Sequence, residues 1–197
     1  MSILAIAGAS GVGKSTFERT FLKLVPGSTL LTSTTTRKPR ESDIHVGSAH
    51  EYEYLSVPKF RTLEKEGIFP QTFKHYDTLY AHRSSLIRQA LESPSVYLGA
   101  LFVPGIEMLF DIARDDYQMV DHIRAIYLVL TDEEERIRRL KMRGETDSQR
   151  FEEEQKQWDR LVKEASDHVP FFKIEASGSP ESLVHQAINM LRLNVKA

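Results

Sequence analysis

Nine residues near the start of the chain constrain its fold more than any other stretch: Gly8-Ala-Ser-Gly-Val-Gly-Lys14-Ser15-Thr16. They fit the pattern G-x-x-x-x-G-K-[ST]. An apolar run, Ile3–Ala7, precedes them, and a helix-like segment over 15–24 follows. Strand, loop and helix in that order are the setting this motif requires. The glycines let backbone N–H groups turn inward onto a polyphosphate, and the helix N-terminus adds a favourable dipole. Lys14 then reaches the β/γ-phosphates, and the Ser15 hydroxyl takes Mg²⁺. Gly8, Ser10, Gly11, Val12, Gly13, Lys14, Ser15 and Thr16 are therefore candidate residues for binding ATP or GTP, with Ser15 as the candidate metal ligand.

Composition bounds the rest. A length of 197 residues with 41% hydrophobic content suits one α/β domain with small insertions. The formal net charge of -2 gives no reason to expect nucleic acid or a membrane surface as partner. The 7 His show no metal-ligand spacing, and with 0 Cys neither a structural zinc site nor disulfides are expected. No apolar run approaches the roughly 20 residues of a membrane helix. A strand begins almost at once, where a signal peptide would carry a charged and then an apolar stretch. The expectation is a cytoplasmic monomer or homodimer.

Five apolar runs of strand length, at 2–7, 28–32, 95–102, 123–130 and 171–175, alternate with helical segments. Those helices are placed at 14–24, 84–91, 104–114, up to 142, 148–165 and 180–193. Thr131 and Glu134 form an expected capping box, and Ser179-Pro180 an expected helix start. The pattern predicts a five-stranded parallel sheet in a three-layer α/β/α fold. Ligands then bind at the carboxyl ends of the strands. Residues 33–82 interrupt this rhythm: they are polar and rich in Thr, Arg, His and Tyr, with a short helix at 57–66 and strand pieces at 68–75 and 79–82. The predicted division is a core of 1–32, 84–131 and 168–197, an insertion at 33–83, and a helical lid at 132–167.

The insertion opens with Ser33-Thr-Thr-Thr-Arg37-Lys38-Pro39-Arg40, directly after the second core strand. Two arginines three residues apart, beside hydroxyl side chains, suit a second phosphate, because guanidinium offers paired planar donors. With Tyr52, Phe60, Gly67, Phe69 and Tyr80, and with the Arg143-Gly144 turn in the lid, the chain resembles the guanylate kinase family over nearly its whole length. That resemblance implies that Ser33 touches a base carbonyl. It implies that Arg37, Arg40, Tyr52 and Tyr80 hold the monophosphate of an acceptor, and that Arg143 closes over ATP. Lys14, Arg37 and Arg143 become the candidate catalytic residues, with ATP and Mg²⁺ required. No general base is needed, since an ionised phosphate is already a nucleophile.

Three departures from the family pattern bear on the acceptor. Gln71 stands where the family carries a Glu that accepts two N–H bonds from guanine, and an amide cannot mimic an acceptor-only group. His82 stands where a base-contacting Ser or Thr is expected. The acidic strand end is replaced by Tyr97-Leu-Gly99-Ala-Leu101-Phe102. Gln71 and His82 are thus read as acceptor-binding, in a pocket for a base other than ordinary guanine. The readings carried forward are a nucleoside-monophosphate kinase, a sugar-phosphate kinase of the ribose bisphosphate type, and a non-catalytic nucleotide- or protein-binding module.

Overall fold

The computed structural model describes residues 1–39, 43–46, 49–75, 77–142 and 148–192. In chain order its elements are β1 (Ile3–Ala7), α1 (Lys14–Leu24), β2 (Thr29–Leu30), β3 (Ser33–Thr35), β4 (His45–Val46) and β5 (Ala49–His50). Then come β6 (Tyr52–Tyr54), α2 (Val57–Lys65), β7 (Thr72–His75), β8 (Thr78–Ala81), α3 (Ser84–Glu92) and β9 (Tyr97–Ala100). The last part holds α4 (Val103–Asp115), β10 (Ile123–Val129), α5 (Glu133–Met142), α6 (Ser148–Ala165), β11 (Phe171–Glu175) and α7 (Pro180–Leu191).

The five strands expected of the core form one sheet in the order β11-β10-β1-β9-β2, and every pairing is parallel. β1 lies at its centre with all five residues buried. Its unbroken apolar run reflects burial on both faces. The chain first moves from β1 outward to β2, then returns through β9 and crosses to β10 and β11. Right-handed crossovers therefore send α1 to one face and α4 and α6 to the other. The helix contacts agree: α1 packs on α7, and α4 packs on α6. This is the three-layer α/β/α arrangement. Its reversal of direction beside β1 opens a crevice at the strand ends, and the loop after β1 enters it. No helix among the described residues is long and apolar enough to cross a membrane.

Residues 33–81 build a second sheet, β6-β3-β8-β7, over a separate small core of Phe60, Leu63, Phe69, Leu79 and Ala81. Arg83 ties it together by donating from Nε and Nη2 to Glu53 at 2.8 and 2.6 Å, while Thr34 donates to the same carboxylate at 2.8 Å. Four short strands, β3 to β6, fall in the polar stretch for which no strands were expected, β4 and β5 pairing in a two-stranded sheet of their own. With two or three residues each they are too short to show alternation, though the Thr of β3 and the Tyr of β6 favour extended backbone. One cap also differs from expectation. Asp132, rather than Thr131, accepts the first-turn amide of α5, from Glu135 at 2.9 Å. Ser179 caps α7 as expected, accepting from Ser182 at 3.2 Å.

Candidate active site

The loop between β1 and α1 owes its path to two glycines. A Cβ on Gly8 would stand 2.7 Å from the Leu128 carbonyl oxygen of β10, so no side chain fits there. Gly13 caps α1 at φ 106°, in the left-handed region, and no side chain caps the helix. The first turn, which carries no acidic residue, keeps its N–H groups available to an anion. Lys14 Nζ donates to the carbonyls of Gly8 and Ala9 at 2.7 and 3.0 Å, and it lies 5.7 Å from the Trp158 ring centroid.

α5 supports this loop from outside. Arg136 is 1% exposed, and its Nη1 donates to the Ser10 carbonyl at 3.4 Å. Arg138 and Arg139 both pair with Glu135. Arg138 is exposed, while Arg139 lies beside Gly13. Of the basic residues on this helix, then, Arg136 and Arg139 are not a solvated surface run. α6 contributes a carboxylate: Glu154 Oε1 accepts from the Ser10 amide and hydroxyl at 3.0 and 2.8 Å. Gln155, the next residue of α6, donates to Tyr127 at 2.9 Å.

Ser10, Gly11, Gly13, Lys14 and Ser15 form one end of a cavity of about 350 Å³. Ser33, Arg37, Tyr52 and Tyr80 line the same cavity, so these four acceptor candidates do meet the phosphate loop. Arg37 arrives already oriented. Its Nη2 donates to Asp43 at 2.8 Å, its Nη1 to the Lys38 carbonyl at 2.9 Å, and its guanidinium lies 4.5 Å from the Tyr52 ring centroid. Tyr54 also donates to Asp43. Burial pushes the Tyr52 phenol well above its ordinary range, which keeps it a neutral donor. Burial likewise raises the Glu51 carboxyl, which accepts from the Ile44 amide at 3.0 Å.

Six rings stand around this cavity: Tyr52, Phe73, His75, Tyr80, Phe102 and Trp158. Phe73 stacks on Tyr80 at 5.4 Å, His75 meets Phe102 at 4.2 Å, and Phe102 meets Trp158 edge-on at 5.3 Å. Sequence reasoning missed Phe73, His75, Trp158 and Asp43. The signals present were the alternation of Phe73 and His75 along β7 and the single Trp, on the amphipathic α6.

Two candidates are placed elsewhere. Gln71 is exposed before β7 begins and does not line the cavity; Phe73 and His75 do. His82 is 1% exposed beneath the wall, with Nδ1 3.1 Å from the Thr32 carbonyl, and burial lowers it to about 4. It is a neutral core imidazole rather than an acceptor contact, because β8 ends at Ala81 and the alternation that points Thr78 and Tyr80 into the cavity ends with it. Arg40 and Arg143 lie outside the described residues. On the other side of the loop a second cavity, about 480 Å³, is lined by Val12, Thr16, Phe17, Arg139, Gly178 and Pro180 among others.

The family model for guanylate kinase matches residues 1–174. The guanylate kinase of Rickettsia prowazekii is 31% identical over 122 residues, which is 62% of this chain and 53% of that protein. That of Rubrobacter xylanophilus is 32% identical over 91 residues, 46% of each chain. The chain thus spans about half the length of the curated relatives it matches. Among solved structures, guanylate kinase from Anaplasma phagocytophilum superposes with a TM-score of 0.65 at 16% identity, covering 99% of this chain and 86% of that one. Deoxyadenosine kinase from M. mycoides superposes at 0.52 and 17%, covering 96% and 98%. These two likenesses speak for the fold. With the family model covering most of the sequence, the chain belongs to the guanylate kinase family.

Proposed function

We propose that this protein transfers the γ-phosphate of ATP to the phosphate of a nucleoside monophosphate whose base is held mainly by stacking. The observation that carries this reading is a single cavity joining the phosphate loop to six rings and a partly buried guanidinium. A planar base gains from such a wall, about 1–3 kcal/mol per stacked base. A sugar phosphate has no π-face to offer it. Phe102, at the strand end where the family pattern carries an acid, is itself part of the wall. This favours a base other than ordinary guanine.

The residues divide the work. The uncapped first turn of α1 and Lys14 bind the donor's phosphates. The hard oxygen of Ser15, which faces the cavity, fits Mg²⁺. When bound, that ion neutralises charge on the transferring group. Arg37, set by Asp43, holds the acceptor phosphate with Ser33, Tyr52 and Tyr80. Arg40 and Arg143 join this set by resemblance to the family. An oxygen of the acceptor phosphate forms the bond to Pγ, the bridging β–γ P–O bond breaks, and ADP leaves. Positioning and electrostatics supply the catalysis.

The test is a panel of nucleoside monophosphates and ribose phosphates with ATP and Mg²⁺, followed by ADP formation. Turnover with one or more nucleoside monophosphates is expected. Turnover with sugar phosphates alone, or none above the ATP background, contradicts the reading.

A further inference from the structure

Glu18 is the anomaly of the core. It lies on α1, is 0% exposed, and burial pushes its carboxyl up to about 8. Oε1 accepts the Ala100 amide at 2.7 Å. A glutamine would accept that bond equally well, without the cost of burying an ionisable group. Oε2 is buried with no hydrogen-bond partner among the described residues. An orphaned buried oxygen of this kind is destabilising. Neither packing nor the Ala100 bond accounts for an acid here.

Its position does. Glu18 follows Ser15 by three residues in α1, the spacing that places two side chains on one helix face. Its hydrogen bond ends on Ala100, the last residue of β9, which lines the cavity with Leu101 and Phe102. It lies within electrostatic reach of Lys14 and Glu51, which line that cavity too. Proteins with this loop commonly hold Mg²⁺ between the loop hydroxyl and a carboxylate at a strand end. β9 neighbours β1, yet its end, Ala100-Leu101-Phe102, offers no carboxylate.

We propose that Glu18 supplies this carboxylate from the helix, acting as a positioning residue on the hydrated Mg²⁺ of the ATP complex behind Ser15. Mg²⁺ keeps several of its waters and takes one or two protein groups plus substrate phosphates. A carboxylate one layer behind the hydroxyl therefore acts on the ion's waters. In keeping with this, the described residues hold no ready-made cluster of three metal-ligating side chains. The inference rests on the ATP reading above.

The test is calorimetry of ATP binding to the full chain and to Glu18→Gln, each with Mg²⁺ in excess and with EDTA. The quantity read is the gain in affinity that Mg²⁺ confers. Glu18→Gln is expected to match the unmodified protein in EDTA and to lose about 10- to 100-fold of the Mg²⁺ gain, as outer-shell changes do. An equal gain in both proteins overturns the role of Glu18 and leaves the nucleotide reading standing. No ATP binding to the unmodified protein overturns both. If Glu18→Gln does not fold, Glu18→Asp, which withdraws the charge by one methylene, is read in the same way.

Discussion

The two ends of the cavity are built by different means. The end to which we assign the phosphate donor is one continuous stretch, 8–16, and the proposed contacts there are backbone N–H groups and one lysine. The acceptor end is assembled from side chains on β3, β6, β7, β8, the end of β9 and α6. A contiguous loop is set by local sterics: glycine at 8 because Leu128 stands 2.7 Å from any Cβ, glycine at 13 because φ is 106°. An assembled wall is set by tertiary packing, so its members can be exchanged one by one while the loop stays fixed. On the proposed reading, donor chemistry is thereby held and acceptor choice left adjustable.

The largest expected effect tests the donor end. Lys14→Ala should lower turnover by on the order of 10³-fold or more, since on the proposed reading it removes the cation that stabilises the transferring phosphate. Retained turnover in a steady-state assay would detach the loop from the chemistry. The next test probes the floor of the acceptor sheet. His82 is held at about 4, below its ordinary 6.5, so the unfolded chain binds the extra proton between those values. Its stabilisation is complete above pH 6.5 and is lost as pH falls towards 4, by on the order of 3 kcal/mol. Glu18 works the other way. With its carboxyl raised to about 8, it favours the fold most below 4.5 and loses that contribution as pH rises. Comparing the protein with His82→Gln cancels the Glu18 contribution. Urea unfolding at pH 7 and pH 4.5 should show a flatter pH response in the variant; identical slopes would place His82 in solvent.

Smaller effects sharpen the acceptor end. Phe102→Ala removes a ring that touches both His75 and Trp158, and it should raise the KM for the acceptor by on the order of tenfold while leaving ATP binding unchanged. A loss in ATP affinity instead would move Phe102 to the donor side. The smallest effect is expected from Gln71→Glu. Gln71 is exposed outside the cavity, so the change should leave the rate with GMP within error of the parent. A gain with GMP would bring residue 71 back to the base.

What the sequence made legible follows the same division. The five core strands were readable because a parallel sheet buries both faces and leaves unbroken apolar runs such as Ile3–Ala7. The phosphate loop was readable because its parts are adjacent. Ser33, Arg37, Tyr52 and Tyr80 could be named by resemblance, and they do line one cavity. Asp43, His75 and Trp158 were not named: the alternation along β7 and the single Trp mark individual positions, but nothing local links a residue after Arg37, a strand end and a face of α6 to one cavity. Gln71 and His82 were misplaced for a related reason. A motif position fixes sequence distance, whereas the boundaries of β7 and β8 decide which side chains turn inward.

The central claim is that the ring wall receives a base, and the chain carries its own reporter in Trp158, its only tryptophan. Trp158 fluorescence should be titrated with nucleoside monophosphates and, separately, with ribose 5-phosphate. The account predicts a saturable change with at least one nucleoside monophosphate, weakened in Phe102→Ala, and none with ribose 5-phosphate at the same concentrations. A response to ribose 5-phosphate equal to that of every nucleotide, or no response to any nucleotide, would contradict it.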